Sequence, residues 1–172
     1  MIFKLFRKSA PDDAVYAAYN FIVAQSRQPR FYADWGVPDT VTGRFDMISL
    51  HLALFLKRLR ADSDARAFGQ ALVDLFFRDM DRSLREMGTG DLAVPKKVRK
   101  MSELFYGLAT NLETALSGSD ADVEAVLLRN VYGAGHPGAA HLAQYLRQEA
   151  AALETLPVSA IISGAPLAGA AA

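Results

Sequence analysis

The side chains that most often do chemistry in proteins are few in this sequence, and they are spaced unfavourably for it. There is no cysteine, which excludes disulfides, thiolate nucleophiles, iron–sulfur clusters and cysteine zinc sites. Among the three histidines, His136 and His141 lie five positions apart, whereas paired ligands on one helix face are four apart. No H-E-x-x-H, G-x-S-x-G or E-x-x-H motif is present. The sequence therefore favours a binding protein over an enzyme.

One set of polar residues is the best candidate for an interior site. Arg44, His51 and Arg58 recur every seven residues, so they fall near one line along a helix. Asp79 lies on an apolar helical arc, where a carboxylate is costly unless it is paired. We expect Asp79 to meet Arg44, His51 or a backbone donor as a structural ion pair that fixes helix register. The alternative is an enzyme or ligand pocket built from Asp79, His51 and Arg44.

A second candidate is the basic patch, which comprises Lys96, Lys97, Arg99 and Lys100 in the stretch "PKKVRK". These cations fall opposite the apolar arc of their helix, so we expect them to face solvent. They stand at a helix N-terminus, where each positive charge costs roughly 0.3–1 kcal/mol. The patch is therefore either an ordinary solvated face or a surface kept for a negatively charged partner. The preceding "GTG" lacks the full phosphate-loop pattern and follows no predicted strand.

Length and charge limit the remaining choices. A chain of 172 residues suits one domain, and 19 basic and 19 acidic residues give no net charge. Any contact with RNA or anionic lipid must therefore come from local patches, and we expect no DNA binding. No apolar run approaches the roughly 18 residues that span a bilayer. Residues 1–10, "MIFKLFRKSA", form a cationic amphipathic segment that either dips into lipid headgroups or covers part of the core.

Helix signals dominate the rest of the chain. They predict an all-α, single-domain, irregular bundle of about six helices over residues 11–156. The predicted helices are 12–28, 43–60, 62–88, 95–118, 119–133 and 136–156, with a connector at 26–40. The helix at 43–60 is apolar around most of its circumference, which favours a central position over an exposed apolar face. Residues 157–172 form an Ala/Gly-rich tail that we expect to be disordered.

Two long segments resemble one known family. They are "FYADWGVPDTVTGRFDMISLHLALFLKRL" (31–59) and "FFRDMDRSLREMGTGDLAVPKKVRKMSELFYG" (76–107). The second carries the D-M-D, L-R-E-M-G-x-G-D, V-P-K-K and F-Y-G elements in order. Together with the final helical pair they resemble the ubiquinol–cytochrome c chaperone family over roughly residues 11–156. The lack of a mitochondrial leader suggests a bacterial-type member.

The resemblance implies a chaperone that binds newly made cytochrome b and promotes assembly of the ubiquinol–cytochrome c reductase. It implies no tightly bound cofactor, and a location in the cytoplasm at the periphery of the inner membrane. Implied partners are cytochrome b, a small partner protein, the ribosome and an anionic membrane surface. An apolar client groove is expected, lined by Phe31, Tyr32, Trp35, Met47, Leu50 and Leu54. The alternative is an RNA- or ribosome-binding helical module that uses the basic patch.

Overall fold

Residues 12–163, the part of the chain that the computed structural model describes, contain eight α-helices and no strand. A 3₁₀ turn at Ser63–Ala65 precedes the fourth helix, and a π-helical turn at Leu128–Tyr132 follows the sixth. Six longer helices correspond to those that the sequence predicts, so the predicted all-α, single-domain fold is confirmed. The helices are α1 Asp12–Ser26, α2 Pro29–Ala33, α3 Val41–Arg60, α4 Arg66–Glu86, α5 Val94–Leu116, α6 Asp120–Leu127, α7 Gly138–Thr155 and α8 Val158–Ile162.

The helix ends follow from local chemistry. The Thr40 hydroxyl accepts a hydrogen bond from the Gly43 N–H at 3.1 Å and so caps the N-terminus of α3. Ser119 and Asp122 form a reciprocal capping box at the start of α6. Helix α4 ends at Glu86, and Gly88 follows the C-cap residue Met87 with a φ of +81°, a conformation that glycine adopts without strain.

Helix α3 is the centre of the bundle. It packs against α1, α4, α5 and α7, and its residues Met47 and Leu50 are fully buried. Aromatic rings join it to two neighbours, since Phe45 stacks on Phe76 and Phe76 packs on Phe105, each pair with centroids 5.5 Å apart. The continuous apolar surface of this helix is therefore used for packing on several sides.

Two short helices were not predicted. Helix α2 lies inside the predicted connector, where Pro29 occupies a first helical turn and Phe31 is fully buried. Helix α8 lies in the predicted tail, and its residues Val158 and Ile161 are buried against the bundle, where α8 contacts α1. The prediction of a disordered tail is therefore wrong for residues 158–162, because two apolar side chains three positions apart give that segment a buried face. Residues 164–172 and the segment 1–10 lie outside the described residues.

The start of α7 lies close to the connector. A Cβ on Gly138 would overlap the backbone carbonyl of Trp35, so only glycine permits this approach. Trp35 in turn stacks on His141 of α7 with centroids 6.1 Å apart. Between residues 12 and 163, no helix combines the length and the apolarity that crossing a membrane requires.

Candidate partner-binding surface

The basic patch lies on the first two turns of α5, and all four of its side chains are exposed. Arg99 reaches Glu103 at 3.2 Å and Lys100 reaches the same carboxylate at 4.0 Å. Lys97 donates to the Thr89 hydroxyl at 3.3 Å, and Lys96 contacts no carboxylate within residues 12–163. Glu103 thus pairs with two of the four cations, and no acidic residue occupies the first turn of α5. The patch keeps a net positive charge at the positive end of a helix.

Exposed apolar side chains lie beside the patch, and sequence reasoning missed them. Leu92, in the loop before α5, is 99% exposed, and Met87 at the start of that loop is 52% exposed. On α5 itself, Leu104 and Tyr106 are each 51% exposed. One feature of the sequence could have revealed the exposure of Leu92. This residue lies between two predicted helices, so it belongs to the apolar face of neither and lacks a packing partner.

The predicted client groove is wrong at four of its six positions. Phe31, Met47, Leu50 and Leu54 are buried in the core and cannot contact a partner from the surface. The physical reason is that other helices pack against α3 on several sides, whereas the predicted groove required one face of α3 to be uncovered.

The two other predicted groove residues, Tyr32 and Trp35, are partly buried. The Tyr32 hydroxyl donates to the Ser26 carbonyl at 2.9 Å, which ties the connector to α1. Trp35 packs on Phe31 with ring centroids 5.4 Å apart. Both side chains therefore hold α2 on the bundle.

The predicted pairing of Asp79 is also wrong. Asp79 accepts hydrogen bonds from the Tyr19 hydroxyl at 2.9 Å and from Arg82 at 2.8 Å, and it contacts neither Arg44 nor His51. Arg44 pairs instead with Asp39 at 2.7 Å in an exposed ion pair. Burial, followed by the neighbouring carboxylate of Asp79, raises the pKa of Tyr19.

His51 is buried in the core, where both ring nitrogens are hydrogen-bonded. Nδ1 lies 2.7 Å from the Met47 carbonyl oxygen, and Nε2 lies 2.9 Å from the Tyr145 hydroxyl. Because a carbonyl can only accept, Nδ1 carries the proton and Nε2 accepts from Tyr145. Burial lowers the pKa of His51 to about 4, so the ring is neutral near pH 7. Through these two hydrogen bonds the histidine links α3 to α7, which is a structural role.

Arg30 and Glu149 extend this polar interior, and the sequence did not single them out. The Arg30 guanidinium lies over the rings of Phe31, Trp35 and Tyr145, with centroid distances of 5.5, 5.4 and 5.1 Å. Glu149 on α7 is buried, which raises the pKa of its carboxyl group, while the charge of Arg30 opposes that rise. These groups join α2 to α7.

An open cleft of about 370 Å³ separates α1 from α4. The Tyr19–Asp79 hydrogen bond lies in it, and Arg27, Arg78 and Arg82 are among its lining residues. The cleft is thus rich in cations, although Arg82 is paired with Asp79.

A second open cleft, of about 220 Å³, lies where α3 and α4 meet α5. Partly exposed Leu56 lies in it above the buried Leu59 and Val73, and the half-exposed ring of Tyr106 forms part of the rim. Its polar lining residues are Arg60, Asp62, Arg66 and Gln70. Of the two clefts, this one is lined by more aliphatic side chains. It provides a shallow apolar recess on the surface that the predicted groove does not provide.

Within residues 12–163, no group of three or more His, Asp or Glu side chains is placed to hold a metal ion. Fold and surface together define an all-α single-domain protein in which α5 presents cationic and apolar side chains outward.

Residues 33–168 match the sequence pattern of the family described as "Ubiquinol-cytochrome C chaperone", and the chain belongs to that family. The resemblance found in the sequence is thereby confirmed.

Two relatives extend this finding. The Xenopus laevis protein "Ubiquinol-cytochrome-c reductase complex assembly factor 1" is 23% identical over 147 residues, which cover 83% of this chain and 74% of the relative. The crystal structure of the Cbp3 homolog from Brucella abortus is 39% identical and superposes with a TM-score of 0.83. That match covers 95% of this chain and 94% of the Brucella chain.

Proposed function

We propose that this protein is a non-enzymatic assembly chaperone of the ubiquinol–cytochrome c reductase, with newly made cytochrome b as its client. The observation that carries the proposal is the family match over residues 33–168. The relative named as an assembly factor of that complex and the similar Brucella structure support it. The protein acts at the periphery of the membrane in which its client is assembled.

The surface supports a binding role. A membrane protein exposes apolar side chains before assembly, so its chaperone needs an apolar surface that water already reaches. The recess between α3, α4 and α5 offers such a surface at two side chains: Leu56 is partly exposed, and Tyr106 stands at the rim with 51% of its area exposed. An aromatic ring with a polar tip is a common anchor in protein interfaces. We assign client contact to this recess, in place of the buried groove.

Genetic replacement tests the proposal. Deleting the gene lowers the amount of assembled reductase, measured by native gel electrophoresis of solubilised membranes, and the wild-type gene restores it. Tyr106→Glu restores less, because a charge at the rim of the recess must be desolvated on client binding. Tyr16→Glu is the matched control, since Tyr16 is 47% exposed on α1. An unchanged reductase level after deletion would defeat the proposed function, and equal rescue by both variants would remove the recess from it.

A further inference from the structure

We propose that the loop between α4 and α5 is a membrane-docking tip, in which Leu92 and Met87 enter the headgroup–acyl boundary of an anionic bilayer while the lysines of the basic patch bind lipid phosphates. We define the tip as residues 87–93 together with the basic patch. The proposal rests on the proposed function and extends it, because it names the surface on which the chaperone works. Its binding to lipid is a separate property that can be measured without the client.

The first observation is the exposure of the loop. Leu92 is 99% exposed, so its side chain projects into solvent and packs on nothing. Met87 is 52% exposed at the other end of the loop. Gly88 and Gly90 lie between them, and a Cβ on either would meet no heavy atom within 4 Å. The loop thus carries two exposed apolar side chains, while its backbone is held to the end of α4 by hydrogen bonds from Met87, Gly88 and Thr89.

The second observation is the charge beside these side chains. The basic patch begins four residues after Leu92, and Glu103 is the carboxylate that its Arg99 and Lys100 share. The acid next to Leu92, Asp91, is bound to Arg85 at 2.6 Å, and Arg85 also binds Asp81 at 2.6 Å. Asp91 is therefore only partly offset, and the positive charge of the tip comes from the basic patch. Each lysine near an anionic membrane is attracted electrostatically to the lipid headgroups. Aliphatic side chains beside the lysines strengthen binding by inserting into the apolar part of the bilayer.

Helix geometry places two lysines of the patch and an exposed leucine on one side of α5. On α5, each residue advances about 100°, so Lys97, Lys100 and Leu104 fall within about 60° of one another. Leu104 is 51% exposed, which continues the apolar character along the cationic face. A surface that alternates lysine with aliphatic residues matches the boundary between lipid headgroups and acyl chains.

The same features argue against the other anionic partners. RNA-binding surfaces use aromatic rings on which bases stack, and the exposed apolar side chains of the tip and its cationic face are Met87, Leu92 and Leu104. The exposed ring of Tyr106 lies about 180° around α5 from Lys97. An acidic peptide needs walls around it, whereas a leucine that is 99% exposed projects and forms no wall. A lipid surface has room for a projecting side chain and requires no recess.

Vesicle sedimentation with the full chain tests the tip. The protein is expected to bind vesicles that contain phosphatidylglycerol and not vesicles of phosphatidylcholine alone, with binding that weakens in high salt. Leu92→Ser should lower binding about tenfold, near the lower end of what transfer of a leucine side chain to an apolar medium provides. Combined Lys96→Gln, Lys97→Gln and Lys100→Gln should lower it about a hundredfold. Val41→Ser is the matched control, since Val41 is 57% exposed at the start of α3.

Labelling provides a second readout that does not depend on affinity. The chain has no cysteine, so Leu92→Cys and Val41→Cys each accept one environment-sensitive fluorophore. The emission maximum of the fluorophore at position 92 should shift to shorter wavelength when anionic vesicles are added, and that of the fluorophore at position 41 should not. Far-ultraviolet circular dichroism confirms that each variant is folded.

The outcomes separate the two proposals. Vesicle binding that is unchanged by Leu92→Ser overturns the tip, even where the chain binds vesicles through another segment. Loss of ribosomal RNA binding in the triple variant, with vesicle binding intact, also overturns it. If the Leu92→Ser variant no longer binds vesicles but still co-purifies the client from detergent extracts, the tip is supported and the proposed function stands. Vesicle binding without any client recovery supports the tip and defeats the proposed function.

Discussion

The buried histidine of α3 makes the stability of this protein depend on pH in a calculable way. The pKa of His51 is lowered from 6.5 to about 4, chiefly by burial. The hydrogen bond to the Met47 carbonyl opposes this shift, and the nearby charge of Arg30 contributes to it. Between these two pKa values the unfolded chain binds more protons at this residue than the folded chain does. Stability therefore rises with pH over this window and is lost as the pH falls through it.

The magnitude follows from the size of the depression. At about 1.4 kcal/mol per pKa unit, the contribution lost on full protonation is about 3 kcal/mol, and at about pH 5 it is about 2 kcal/mol. The assay is urea unfolding of wild type and His51→Gln at about pH 7.5 and about pH 5. Glutamine does not titrate, so the free-energy difference between the two proteins should shrink by about 2 kcal/mol at the lower pH. An unchanged difference would refute the assignment of a neutral buried ring.

Asp46 on α3 supplies an internal check with the opposite sign. Burial raises the pKa of its carboxyl group to about 7, so the folded chain holds a proton that the unfolded chain releases above 3.8. Asp46 therefore destabilises the fold as the pH rises toward 7. Asp46→Asn should be more stable than wild type at about pH 8, by about 2 kcal/mol after allowance for partial exposure, and the gain should vanish at about pH 4. A gain that grows on acidification would contradict this reasoning.

Three further substitutions probe the packing, each followed by urea or thermal unfolding. Gly138→Ala should lower the free energy of unfolding by about 1–3 kcal/mol, because the new methyl group overlaps the Trp35 carbonyl. Gly107→Ala should be neutral or stabilising, because its methyl group meets nothing within 4 Å. Equal effects of the two substitutions would contradict the close approach at Gly138. Asp79→Asn should cost about 1–2 kcal/mol because a tyrosine and an arginine lose a charged acceptor, and no loss would show that the pairing is unimportant. Ile161→Ala should cost about 2–4 kcal/mol if α8 is packed as described, and a surface-like value below about 0.5 kcal/mol would show that it is not.

The main helices could be predicted because their signals are local. Threonine, serine and glycine are favoured at helix ends, and Thr40, Ser119 and Gly88 each occupy such a position here. The central position of α3 was also predictable, since a helix with little polar surface needs neighbours on several sides.

The pairings between helices could not be predicted in the same way. Asp79 meets Tyr19, which is 60 positions away, and His51 meets Tyr145, which is 94 positions away. A helical wheel shows which face a residue occupies, but it does not show which helix covers that face. The same gap explains the groove, because the residues proposed to line it were apolar enough for the core and were used there.

Exposure was predictable for charge and not for apolar residues. The cations of the basic patch face solvent as expected, since burial of an unpaired charge is costly. Tyr106 looks like a core residue in the sequence, and the packed bundle shows that it and Leu92 are exposed. These exceptions carry the proposals for lipid and client contact.

The most direct measurement is affinity purification of the full chain from detergent-solubilised membranes, with cytochrome b quantified by mass spectrometry in the eluate. The account predicts that wild type and Tyr16→Glu recover cytochrome b, and that Tyr106→Glu recovers much less while remaining folded. Absence of cytochrome b from the wild-type eluate, in cells that are actively making it, would contradict the claim that this protein chaperones that client.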